Sequence, residues 1–147
     1  MTTTTSETLS LQVARFIKAP RERVFEAWTN ADELPLWLGC VPIKVVSSKI
    51  DLRIGGEYAV HTITEERGEM KFRGVYREIK APEKLVFTWT GCCPEMLPNG
   101  TIVTVELIEQ NGGTLLQLTH VGFPNDEVRE KHNFGWNVCF DNLEKRV

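Results

Sequence analysis

Between residues 43 and 121, apolar side chains recur at every second position in six runs with short connections between them. A period of two is that of a β-strand, whose successive side chains point to opposite faces. The runs are 43–48, 57–63, 69–79, 84–90, 101–109 and 114–121. Gly55-Gly56, Arg67-Gly68, Ala81-Pro82, Asn99-Gly100 and Asn111-Gly112-Gly113 punctuate them. Connections this short imply antiparallel hairpins, because a parallel crossover needs about a dozen residues or more. The chain is committed to an antiparallel sheet.

The flanks add one strand and the helices. LSLQVARFIKAP (9–20) alternates and reads as a strand that stops at Pro20. PRERVFEAWT follows, with proline in a first helical turn and Val24, Phe25 and Trp28 on one face. Asn30 is placed to cap a second short helix, with Glu33 three residues on as in a capping box. That segment carries Leu34, Trp37 and Leu38, and Pro35 keeps it short. After Pro124 a helical period returns and runs to the end. The order is strand, two short helices, six strands, one long helix: an α+β arrangement in which the last helix covers a sheet face. Residues 1–8 read as a disordered tail, and 9–147 as a single domain.

Alternation also assigns faces. Tyr58 and Val60 share one, with Met70, Phe72, Gly74 and Tyr76, Leu85, Phe87 and Trp89, Val103, Val105 and Leu107, and Leu116, Leu118 and His120. Thr88, Thr104, Glu106, Gln117 and Thr119 lie opposite, as do Lys71, Arg73 and Arg77; His61 falls on this wet side. In the last helix His132, Trp136, Cys139, Phe140 and Leu143 form one stripe, while Asn137, Asp141 and Lys145 point away, with Phe134 and Val138. Gly135 sits at the edge of the stripe, where it costs about 1 kcal/mol against alanine. A glycine there suggests a shallow notch for a neighbouring aromatic, a short helix or a ligand.

A net charge of −3, with no basic run interleaved with aromatics, points away from nucleic acid. No stretch approaches the roughly 18 apolar residues of a membrane span, and the N-terminus lacks the pattern of a signal peptide. A cytoplasmic protein is expected. Cys40, Cys92, Cys93 and Cys139 make no CxxC pair and read as small buried hydrophobes in a reducing compartment. There is no metal-ligand spacing and no G-x-S-x-G elbow, and Asp51, Glu57 and Glu69 are isolated carboxylates. No catalytic residue, metal or cofactor is assigned.

Five segments, in order, carry a family resemblance: IKAPRERVFEAWT (17–29), DLRIGG (51–56), GVYREIKAPEKLVFTW (74–89), GGTLLQLTHVGF (112–123) and GWNVCFDNL (135–143). Together they resemble the family named after the activator of the heat-shock-protein-90 ATPase, in the START-like, or SRPBCC, superfamily. The resemblance implies a helix-grip fold: a curved antiparallel sheet of six to seven strands wrapped round a long C-terminal helix, with a cavity between them. Superfamily members use that cavity for small hydrophobic ligands. A minority are cyclases or hydrolases, and the co-chaperones of the family contact a chaperone.

The expected ligand-binding residues are Trp37, Tyr58, Phe72, Trp89, His120, His132, Trp136 and Phe140, with His120, His132 or Tyr58 orienting a polar end. The leading expectation is a small apolar ligand held in the cavity. A cavity enzyme of cyclase, dehydratase or hydrolase type is one alternative. The other is an interaction or chaperone-accessory module, with Phe134 and Val138 meeting a protein partner or a second copy.

Overall fold

Alternation closes into one seven-stranded antiparallel sheet in a computed structural model that describes residues 9–38, 44–64, 68–90, 97 and 100–147. The strands are β1 (Leu9–Ile17), β2 (Lys44–Ile50), β3 (Glu57–Thr64), β4 (Gly68–Lys80), β5 (Lys84–Trp89), β6 (Thr101–Gln110) and β7 (Gly113–Phe123). The helices are α1 (Arg21–Thr29), α2 (Leu34–Trp37) and α3 (Asp126–Arg146). The sheet order is β1-β7-β6-β5-β4-β3-β2. β1 and β2 are thus opposite edges, and the chain crosses between them through α1 and α2. The remaining strands return as a meander, with the curved sheet gripping α3. This is the helix-grip fold. Cys40, Cys92 and Cys93 lie outside the described residues, as does the 1–8 tail; Cys139 is buried.

α3 is bounded by electrostatics. The Asn125 side chain accepts from the Val128 N–H at 2.9 Å, Asp126 and Glu127 occupy the positive N-terminal turn, and Lys145 and Arg146 the last. Its buried stripe is Val128, Trp136, Cys139, Phe140 and Leu143. The helix lies over β1 and β7. There Arg15 of β1 donates to Asp141 and Glu144, each at 2.8 Å, and to the Asn137 side chain at 3.3 Å. Asp141 is exposed and Asn137 half-buried, in keeping with a stripe that points away from the core, yet both meet the half-buried Arg15. A period sorts apolar from polar; it does not see a cation arriving from another element.

The notch expected at Gly135 is not occupied. Among the described residues nothing lies within 4 Å of where its Cβ would stand. Close approach does not explain this glycine. Phe134 beside it is 70% exposed, and Val138 is half-buried.

α1 and α2 are locked to α3 by one carboxylate. Glu33 accepts two parallel bonds from Arg23, at 2.9 and 3.0 Å, and a third from Arg146 at 3.0 Å. These hydrogen bonds, Arg23's foremost, hold its carboxyl below the usual range against the opposing effect of burial. The capping box expected here is absent: Asn30 accepts from the Asp32 N–H, and Glu33 turns to the arginines instead.

A third feature positions the inner face. Tyr58 of β3 is paired with Gly74 of β4, and a Cβ on Gly74 would collide with the Thr88 carbonyl oxygen and stand 2.7 Å from the Tyr58 ring. The bare glycine lets the Tyr58 ring cross β4, so that its hydroxyl donates to Thr88 O of β5 at 2.8 Å. That carbonyl is free to accept because the β4–β5 ladder is irregular at this end, where the Thr88 hydroxyl itself takes the Val75 N–H. On the outer face, His61 is half-buried rather than solvated, with Nε2 3.2 Å from Glu69.

Candidate functional site

The inner face holds two polar and aromatic groupings, one closely bonded and one around a small residual space. In the closely bonded one, Trp136 Nε1–H donates to His120 Nδ1 at 3.1 Å. An indole nitrogen can only donate, so Nδ1 is the bare nitrogen and the ring proton sits on Nε2. That proton goes to Thr101 Oγ1 at 2.7 Å, and the Thr101 hydroxyl donates to Trp89 O at 2.8 Å. One chain of three bonds thus ties α3, β7, β6 and β5 with every donor matched. His120 is completely buried, and desolvation, helped by His132, lowers its pKa to about 3. It stays neutral, and both of its nitrogens are engaged within the protein. His132 donates from Nδ1 to Val128 O at 2.9 Å and packs on His120 and Phe123; burial lowers its pKa too.

The second grouping surrounds a residual space of about 10 Å³, room for about one water. Tyr58, Tyr76, Leu85, Phe87 and Trp89 border it from the sheet, and Trp28, Leu34 and Leu38 from the α1–α2 side. It lies beside α3's footprint, on the β3–β5 half of the inner face. Tyr58 and Tyr76 are its titratable groups. Burial pushes both phenols well above their ordinary value, so both remain protonated at neutral pH.

Of the eight residues expected to bind ligand, the structure brings Tyr58 and Trp89 to this space. Trp37, at the end of α2, is fully buried against α1, with Nε1 donating to Ala27 O at 3.0 Å and its ring edge-on to Trp28 at 4.7 Å. Phe72 packs on Trp89 at 5.4 Å, Trp136 on Trp89 at 5.1 Å, and Phe140 on Trp28 at 6.2 Å. His120 and His132 belong to the closely bonded grouping. Alternation had already put Tyr76, Leu85 and Phe87 on the inner face, and Trp28 on the buried face of α1. What it does not encode is how far along each element α1 and α2 reach over the sheet.

Among the described residues no group of three or more His, Cys, Asp or Glu side chains is arranged to hold a metal ion. No described helix is long and apolar enough to cross a membrane.

Known proteins place these features in context. Protein CV1439 from Chromobacterium violaceum has a similar crystal structure, with a TM-score of 0.82 at 27% identity over 94% of this chain and 96% of that one. The solution structure of an AHSA1-like protein from Aeromonas hydrophila gives 0.78 at 22% identity, over 93% and 90% of the two chains. CalU16 from Micromonospora echinospora gives 0.70 at 24% identity, over 91% and 73%. No curated protein matches. The family described as "Activator of Hsp90 ATPase homolog 1-like protein" matches residues 18–147, so the chain belongs to that family, within the START-like, or SRPBCC, superfamily.

Proposed function

We propose that the protein is a cytoplasmic binding protein for a small, mainly apolar molecule, held between α1–α2 and the inner face of β3–β5. The family's fold is typically a ligand-binding one. The observation that carries the reading is the aromatic-walled space itself: side chains from three strands and from the α1–α2 segment face it, and they do not fill it. Ligand sites of known proteins measure about 300–1,000 Å³, so binding must part side chains that now nearly touch. The sheet residues are held by their ladders. Leu34 opens the one-turn α2 and Leu38 caps its end, and these are the walls that yield. Affinity would come from apolar burial, at about 25 cal/mol per Å² before ordering costs. Chemistry on a ligand would need an acid and a base of matched pKa; the two titratable walls are protonated phenols.

Toluene is a suitable first probe. Titrated into the ¹⁵N-labelled protein, it should give saturable shifts confined to α1, α2 and β3–β5. Leu34→Phe, which fills the space from the α2 side, should weaken binding by about tenfold with the fold intact. Absence of saturable binding, or saturable binding indifferent to Leu34→Phe, would remove the reading.

A further inference from the structure

Two of the residues that border this space each carry a buried, unmatched hydrogen-bond donor. Trp28 and Trp89 are 3% and 5% exposed, and among the described residues neither indole Nε1 has a hydrogen-bond acceptor. The other two tryptophans are matched: Trp37 donates to Ala27 O and Trp136 to His120. All four indoles are packed in one cluster, with Trp28 6.1 Å and Trp89 5.1 Å from Trp136, so burial alone does not separate the pairs. What separates them is that the unmatched two border the space. Buried donors are almost always satisfied, and an indole can only donate.

On the reading above, we infer that this site selects a ligand bearing a neutral carbonyl oxygen, which accepts from the Trp28 and Trp89 indole N–H groups. A carbonyl oxygen has two lone pairs, enough for two donors. A carboxylate also accepts, but the bordering side chains are aromatic and aliphatic, with no cation among them, and a charge buried there would be uncompensated. The ketone, ester or lactone class fits the donor set, with the hydrocarbon remainder against Leu34, Leu38, Leu85 and Phe87.

Three probes of one shape test this: acetophenone, α-methylstyrene, which puts =CH₂ where the ketone has oxygen, and benzoate. Followed by the four indole ¹H–¹⁵N resonances, acetophenone should move those of Trp28 and Trp89 downfield and leave those of Trp37 and Trp136 nearly still. It should bind at least about tenfold more tightly than α-methylstyrene and more tightly than benzoate, because the alkene leaves the donors unmatched. Trp28→Phe and Trp89→Phe should each shrink the ketone's advantage over the alkene. The wild-type comparison stands by itself if either variant fails to fold. Equal binding of ketone and alkene would overturn the inference while leaving the binding site in place, and tighter binding of benzoate would overturn the neutral-carbonyl assignment. Failure of all three probes, with toluene failing too, would remove the site and this inference together.

Discussion

Gly135 shows how a local rule can mislead at the scale of one residue. Its cost in a helix was legible in the sequence; the reason for tolerating that cost was not, since nothing approaches the backbone there. Gly135→Ala should therefore raise stability by about 1 kcal/mol, read by urea denaturation; a loss would show that the position needs its glycine. His120 is the converse case. Its inner-face register was plain, but its use as a connector depends on Trp136 and Thr101 arriving from elsewhere in the chain. Replacing it with leucine leaves the Trp136 N–H unmatched and should cost about 1–3 kcal/mol at pH 7.5. The pH dependence follows from the lowered pKa. Between about 6.5 and 3 the unfolded chain binds a proton at this position and the folded one does not, so wild-type stability is full above that window. It falls by about 1.4 kcal/mol per pH unit within the window. His120→Leu removes this slope and leaves what His132 contributes, so the gap between the two proteins should narrow as the pH drops from 7 to 5. A constant gap would mean that His120 titrates normally in the fold.

Among the elements, the strands and α3 were readable because each buries one face against a single layer, and burial writes a period into the sequence. α1 and α2 are held differently. Glu33 joins them to α3 through Arg23 and Arg146, and a partner more than a hundred positions away leaves no periodic trace. The same holds for Arg15, whose acceptors all lie on α3. Glu33→Gln keeps the shape and removes the charge that Arg146 and Arg23 share, leaving Arg23 with Glu26 at 2.9 Å. It should cost about 1–3 kcal/mol by denaturation. Because the carboxylate is largely buried, most of that loss should persist in 1 M NaCl, where an exposed pair would be screened. The wild-type advantage is present above the carboxyl's unfolded pKa and disappears as pH falls through its lowered folded value. A cost that vanishes in salt would reduce Glu33 to a surface pair, and α2 would then lack its anchor.

Taken as a whole, the inner face divides into two regions with different mechanical support. β1, β7 and β6 are braced by α3 and α1, by the Arg15 cluster and by the His120 chain. α3 reaches β5 at Trp89, through Trp136 and the end of the His120 chain, and farther toward β3, beside the one-turn α2, the ring of aromatic walls leaves its small gap. A ligand that parts α2 from the sheet would then act on local opening in one region, not on the global stability of both. Amide hydrogen exchange separates the two cases, because local openings and global unfolding are read at different amides. With toluene at ten times its Kd, linkage slows globally exchanging amides by about elevenfold everywhere. Amides of α2 and of β3–β5 that exchange by local opening should slow as well. Those of β1 and β7 that exchange by local fraying should be unchanged, since fraying there leaves the site intact. Slowing of every locally exchanging amide alike would mean that the ligand tightens the molecule as one body, and the division of the inner face drawn from its bracing would fail.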